Sequence, residues 1–447
     1  MKKILLIPAA LLLTSAAYAQ DDTKFITTEN NIEVFNIMME NAPQNPNIKD
    51  VSRFTLVGKD SKFYLGMGAN VKMVGDFDWG APITNPNLFA PSAISAADPG
   101  NKGQTTFSIG QSNLYWNFVA LPGSKNQVGL FFDINFLGST SKPVIAIHHA
   151  YLKYRGFTAG YIVSTFTDIQ ADPVAIDFAG PNAITFIRHP NIYYTAKFGK
   201  DKMWSAQIGL DMPLAEQSDF KEGKYEHGKF NDNSNGKVYN PFTTDGTTTQ
   251  FVHQRMPDIP LFIQRDWCGH KGWFRVSAIF RDLQYRDLVA DKGKGKNRGE
   301  FGWGIKASGK TPIVGGLSLT WQGVYGKGVA SYIQDLTGEG LDLVPVNNVN
   351  GKLTTVPTWG AYGTLQYNFG KCALWNFTYS HVRAYAKDFG GDWGGMYKYG
   401  QYLTSNLIFN VSSFAQVGVE YLWGRRMNYN REQAHDNRIM LMFNLSI

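Results

Sequence analysis

Residues 63–79 read FYLGMGANVKMVGDFDW. The odd positions, from Phe63 through Leu65, Met67, Ala69, Val71, Met73 and Phe77 to Trp79, are mostly large and apolar. The even positions carry Gly66, Gly68, Asn70, Lys72, Asp76 and Asp78. A period of two is the mark of a β-strand with two different faces. The run far exceeds the roughly five or six residues of a globular strand. A greasy face opposite a face with lysine and two aspartates describes a strand between lipid and water.

The same alternation recurs to the last residue. It is clear over 127–138, 203–212, 273–282, 301–308, 358–369, 403–411, 415–423 and 438–447. Weaker runs fall near 105–119, 142–155, 156–166, 189–199, 258–267, 314–328 and 372–386. Together with 63–79 they predict about sixteen strands, an even number inside the range of outer-membrane barrels. The connections alternate in length. Short turns at 122–126, 155–156, 199–202, 268–272, 310–316, 370–371 and 411–415 interleave with long loops at 80–104, 167–188, 213–257, 286–297, 329–354, 387–397 and 427–436. The link near 138–143 is the exception. Short turns at one end and long loops at the other fit a barrel with periplasmic turns and extracellular loops. The fold class expected is therefore all-β, a transmembrane antiparallel β-barrel of about sixteen strands over 63–447. Closure of the sheet satisfies the backbone groups that hydrocarbon cannot.

The N-terminus, MKKILLIPAALLLTSAAYAQ, has two lysines, an apolar run and Ala17-Tyr18-Ala19. It reads as a signal peptide over 1–19. Residues 20–62 do not alternate. They are expected to form a periplasmic segment or to sit at the barrel mouth, with one short helix near 33–41 ended by Pro43 and Pro46. Apolar residues make up 43% of the chain and aromatic residues 14%, enough for a folded, ring-rich β protein. The formal net charge is +7, of which Lys2 and Lys3 contribute two, leaving +5 on the mature chain. The basic residues are scattered, so no nucleic-acid partner is expected.

In the middle of the chain, YIVSTFTDIQADPVAIDFAGPNAITFIRHPNIYYT (161–195) resembles the DcaP-like family of trimeric outer-membrane porins. The resemblance rests on Ser164, Thr165, Phe166 and Asp168, then Pro173, Asp177, Phe178, Gly180 and Pro181, then Arg188, Pro190, Ile192, Tyr194 and Thr195. His149-Ala150-Tyr151, Pro257-Asp258, Tyr325-Gly326-Lys327-Gly328, Tyr332-Ile333 and EYLWGRR (420–426) look similar too. The resemblance implies a homotrimer in the outer membrane of a Gram-negative-type bacterium. It also implies passage of small hydrophilic solutes with a preference for anions, often dicarboxylates.

A diffusion pore selects by its diameter and by charges at its constriction. The 167–188 loop is the candidate constriction, with Asp177 facing Arg188 across the channel. By parity Lys72, Arg275, Arg281, Lys306 and His148 are expected on the inner face, with Asp76, Asp78, Asp133 and Glu420 as inward acids. The aromatics Phe77, Trp79, Tyr421 and Trp423 are candidates for interfacial girdles against outer-membrane lipid.

Other signals are weak. Consecutive strand residues face opposite sides, so His148 and His149 are not expected to share an ion, and no metal or other cofactor is expected. NDNSNG (231–236) lacks the closing Glu of a calcium loop. DKGKGKNRG (291–299) lacks the ending of a phosphate loop and reads as a basic extracellular loop. Cys268 and Cys372 fall at turns four strands apart, beyond disulfide reach. Ser380 and His381 are neighbours on a strand and do not form a catalytic pair. The chain is thus expected not to be an enzyme. The alternatives are a barrel whose long loops bind a surface partner or glycan and, behind it, an outer-membrane hydrolase.

Overall fold

The computed structural model describes residues 24–43, 52–83, 85–96, 102–139, 142–216, 249–346, 351–386 and 395–447, with short backbone stretches between 219 and 240. The 1–19 segment and the tip at 232–236 lie outside the described residues. The chain forms a closed antiparallel barrel of sixteen strands. In order these are β1 (Phe63–Gly80), β2 (in two segments, Gln104–Ser108 and Asn113–Ala120), β3 (Val128–Asn135), β4 (Ala146–Tyr154) and β5 (Phe157–Val163). Then come β6 (Arg188–Phe198), β7 (Trp204–Asp211), β8 (Ile259–Trp267), β9 (Gly272–Asp287), β10 (Lys296–Val314) and β11 (Leu317–Lys327). The wall ends with β12 (Pro357–Phe369), β13 (Ala373–Ala384), β14 (Tyr397–Asn410), β15 (Ala415–Asn428) and β16 (Gln433–Ser446). Each strand pairs with the next, and β16 closes on β1 from Asp436↔Gly80 to Ser446↔Asn70.

The opening stretch is laid out as its period requires. Val71, Met73 and Trp79 are 44–49% exposed on the outside, whereas Asn70, Asp76 and Asp78 are buried inside. Val71↔Leu445 and Leu441↔Gly75 are paired across the closing seam. Aromatic groups ring the outer surface at both ends. Trp359, His381 and Tyr399 stack in a row at the long-loop end, with centroids 5.1 and 5.4 Å apart. At the short-turn end Phe157 packs on Tyr194 at 4.9 Å. Such girdles anchor a barrel at the two interfaces. Ser380 points inward while His381 points outward, so the two neighbours are apart.

Two turns show how the short end is built. Arg155 and Gly156 (φ 48° and 83°) join β4 to β5, and Gly315 and Gly316 (φ 54° and 93°) join β10 to β11. Paired left-handed residues give the two-residue turn whose twist matches its strands. At the other end two expected loops are shorter than the apolar pattern suggested. β15 runs to Asn428 and β16 starts at Gln433, so 427–436 is mostly strand. β9 and β10 likewise run to Asp287 and from Lys296. Above the lipid both faces of a ladder are wet, so the hydrogen bonds continue after the apolar alternation stops.

Before the barrel, strand Phe54–Val57 pairs with Tyr64–Gly66 of β1, and strand Lys24–Thr27 pairs with Phe54–Val57. This covers the edge that β1 would expose below the end of β16, an edge otherwise open to aggregation. Helix α1 (Ile32–Asn41) is capped by the Asn31 side chain on the Val34 amide. Its Val34 and Met38 pack inside the barrel mouth against Tyr64 and Val119.

Candidate functional site

Loop 164–187 leaves β5 at Ser164 and re-enters the wall at Arg188. Its base is stapled. The Phe166 amide donates to Ser164 Oγ at 2.9 Å, and Thr185 Oγ1 donates to the Phe166 carbonyl at 3.3 Å. The loop then crosses the lumen. Asp168 meets Arg275 of β9 at 3.0 Å and accepts Ser308 Oγ of β10 at 2.6 Å. Tyr362 of β12 donates to the Ala171 carbonyl at 2.9 Å. Asn376 of β13 and Asn406 of β14 both donate to the Val174 carbonyl, at 2.5 and 2.9 Å. β13 and β14 stand across the ring from β5 and β6, so the loop spans the diameter.

The loop's outermost point is held hardest. Glu420 of β15 accepts the Ile176 amide, and Lys72 of β1 donates to the Ile176 carbonyl at 3.1 Å. The Asp177 carboxyl accepts the Phe89 and Ala179 amides at 2.9 and 3.1 Å and the Tyr402 hydroxyl at 3.2 Å. Burial, with Glu420 beside it, pushes the Asp177 carboxyl up to about 7. On the return, Ser380 accepts the Ala183 amide at 3.0 Å and Gln322 donates to the Ala183 carbonyl at 2.9 Å. Two inward glycines make room. A Cβ at Gly360 would lie 2.9 Å from Ala183, and one at Gly400 would lie 2.4 Å from the Asp335 carboxylate.

Other loops fold in as well. Arg281 of β9 ion-pairs with Asp258 at 2.9 Å and Asp342 at 3.0 Å, and donates to the carbonyls of Gly328 and Leu214. It thus ties the β7–β8 and β11–β12 connections together. Arg438 of β16 grips Asp78 of β1 at 2.6 and 2.9 Å across the seam and holds the Ile83 carbonyl at 3.0 Å. Asp335 of the β11–β12 loop accepts the Ser92 amide, Asn182 and Tyr397, bringing three loops to one carboxylate. Apolar packing fills between them, with Phe166, Ile184, Val329, Tyr332, Ile333 and Leu336 in one cluster.

The inward basic residues are therefore anchors and not a bare wall. Arg275, Arg281 and Lys306 are 8%, 2% and 1% exposed, and Lys306 holds the Phe166 carbonyl and Thr185. Asp76, Asp133 and Glu420 are fully buried. Asp177 and Arg188 do not pair. Asp177 is buried at the far wall, and Arg188 stacks on Phe186 with its guanidinium carbon 5.1 Å from the ring centre. His148 and His149 overturn the expectation that they face opposite ways. Asp133 pairs with His149 and Ile134 with Ile147, so His148 is the extra residue of a β-bulge. A bulge re-aims a side chain, and here both rings turn onto the Asp133 carboxylate, at 2.7 and 2.9 Å. Sequence reasoning named Asp168 as a motif residue without giving it a role, and it missed Asn376, Asn406, Tyr402 and Arg438. Asn376 and Asn406 were findable, since they are polar, inward in parity and directly paired on adjacent strands.

Among the described residues a cavity of about 1750 Å³ opens at the short-turn end. Helix α1 lines its outer side through Phe35, Met39 and Asn41, and the loop closes its inner side through Thr167, Ile169 and Gln170. Its wall is the inner face of β4–β9, with Lys153, Thr195, Gln207, Gln264 and Arg275. Ser164, Asp211 and His189 also meet near here, but the serine donates to the carboxylate at 2.5 Å and the histidine sits on that same carboxylate at 3.1 Å. That leaves the serine without the imidazole base a nucleophile needs. Cys268 and Cys372 are free and exposed.

No family model matches the chain and no curated protein matches it. Solved structures do. The outer-membrane channel DcaP of Acinetobacter baumannii superposes with a TM-score of 0.67 at 16% identity, over 87% of this chain and 99% of that one. The anion-selective porin of Comamonas acidovorans gives 0.50 at 9% identity, over 86% and 100%. OmpT, an outer membrane protein of Vibrio cholerae, gives 0.50 at 10% identity, over 87% and 99%. At these identities the likeness is one of fold, and the chain has the barrel fold of these outer-membrane proteins.

Proposed function

We propose that the protein is an outer-membrane porin that passes small hydrophilic solutes by diffusion, with loop 164–187 as its constriction. The carrying observation is the arrangement of the wall, which presents apolar side chains outside and polar side chains inside, crossed by one anchored loop above a polar cavity of about 1750 Å³. The cavity favours anions in its charge. Lys125, Lys153, Arg155, Lys197, Lys202 and Arg275 line it against Glu40, Asp201 and Asp266. An excess of one sign raises the local concentration of the opposite ion. The fold likeness to an anion-selective porin and to the DcaP channel supports this reading, and the homotrimer is proposed on the resemblance of 161–195. A signal peptide at 1–19 is the proposed route to the outer membrane. The Ser164–Asp211–His189 arrangement, with no serine on an imidazole, supports a non-enzymatic role.

Planar bilayers holding the mature chain test the proposal. Conductance in steps of three is the expected result, with a reversal potential under a KCl gradient on the anion-selective side. Arg188→Gln is expected to move that potential toward cations. A folded, inserted chain with no conductance overturns the reading. An unmoved potential in Arg188→Gln removes Arg188 from the selective field.

A further inference from the structure

We propose that Asp133, His148 and His149 form a binding site for a first-row transition dication of the imidazole-seeking kind, Zn²⁺, Ni²⁺ or Cu²⁺. The three residues lie on the inner wall of β3 and β4, away from the loop anchors. The bulge at His148 spends a ladder position to bring two consecutive side chains to one carboxylate. The ring centres are 4.4 Å apart. One donor atom from each residue lies within 4.8 Å of the other two. Ligands held at roughly 2.0–2.2 Å by a tetrahedral ion stand about 3.3–3.5 Å from one another, so the 2.7 and 2.9 Å contacts need to open by about 0.4–0.8 Å.

The cluster is dry, with all three residues at most 2% exposed. Both rings turn Nδ1 onto the carboxylate, so the two Nδ1 atoms and a carboxylate oxygen are the donor set. His149 lines the cavity, giving an ion a path from the short-turn end. Phe178 of the infolded loop packs on His148 at 5.8 Å, so an occupied site sits under the constriction. Arg188 is within electrostatic range of all three residues and opposes any cation. That field opposes every dication alike, and the two imidazole nitrogens favour Zn²⁺, Ni²⁺ and Cu²⁺ over Mg²⁺ and Ca²⁺, which prefer oxygen.

The test uses the full mature protein in detergent, with Cys268→Ser and Cys372→Ser to remove thiol ligands, and Zn²⁺ alone as the probe. Competition against a chromophoric chelator is expected to show one equivalent bound. His148→Gln, His149→Gln and Asp133→Asn each remove a ligand and are each expected to weaken it at least tenfold. His270→Gln, at an exposed histidine, leaves it unchanged, and Arg188→Gln tightens it. Equal affinity in wild type and the three cluster variants overturns the site. X-ray absorption at the zinc edge of the unsubstituted cluster guards against variants that misfold. Two imidazoles around the ion support the site, and a shell of oxygen alone overturns it.

Discussion

Two arcs of one inner wall carry the same alternating pattern and do different work. From β9 round to β1 the inward side chains are buried under infolded loops. Arg281, Lys306, Gln322, Ser380, Glu420 and Arg438 are each at most 2% exposed, or bonded directly to a loop. From β4 to β8 the inward side chains Lys153, Thr195, Gln207 and Gln264 face a cavity. Charge on the first arc holds the infolded loops, whereas charge on the second faces the cavity. The largest substitution effects should therefore fall on the first arc as stability, and smaller ones on the second as selectivity.

Arg281→Met is the hardest blow to this division. It leaves Asp258 and Asp342 buried without their guanidinium. Stripping one partner from a buried pair costs about 3–5 kcal/mol. The midpoint of guanidinium unfolding should fall accordingly, and an unchanged midpoint would show that the first arc is solvated after all. Glu420→Ala comes next. It removes the acceptor of the Ile176 amide and of Thr404 Oγ1, the latter at 2.8 Å. Hydrogen bonds to charged groups contribute roughly 1.5–3 kcal/mol each. The loop tip should loosen, raising single-channel conductance and current noise.

The pH response sharpens the comparison. Asp177 sits in the loop with Glu420, Lys72, Tyr402 and Arg438 around it, and its carboxyl is raised to about 7. The docked loop thus favours the neutral acid, while a freed loop titrates near the ordinary ~3.9. The stabilisation is full below that ordinary value and is lost as pH rises through about 7. Conductance noise from the loop should grow between roughly pH 4 and 7. Asp177→Asn should flatten that slope. A slope that survives the substitution would assign it to another acid.

Much of this wall was legible because lipid imposes a period of two on every strand, and β1 alone displays it over its full length. Loop parity was legible for the same reason, since one end of a barrel faces the periplasm. The use of each inward charge was not legible. Lys72 and Lys153 look alike in sequence, yet one donates to a loop carbonyl and the other to carbonyls of α1. That depends on where the loop lands, four strands from its base on β5, and on where α1 docks. The bulge at His148 was hidden because one extra residue leaves no mark on an apolar pattern that restarts at Ala150. The tight β15–β16 turn was hidden because the strands outrun the membrane.

The smallest effect expected is at α1, which guards the second arc. Asn41 is buried and donates from Nδ2 to Asn117 at 2.6 Å and to the Phe118 and Leu130 carbonyls at 3.3 and 3.2 Å. Its carbonyl accepts Tyr151 and Lys153. Asn41→Ala loses the side-chain bonds and keeps the backbone ones, a cost of about 1–2 kcal/mol. That is too little to unfold the barrel and enough to free a ten-residue helix from the mouth part of the time. Limited proteolysis should then cut the N-terminal segment faster, with the wall intact. If α1 narrows the solute path, conductance rises in step with cleavage. If conductance holds while cleavage quickens, the helix serves to pack on Tyr64 and Val119 and stands clear of the path, and the cavity's selectivity belongs to Lys153 and its neighbours alone.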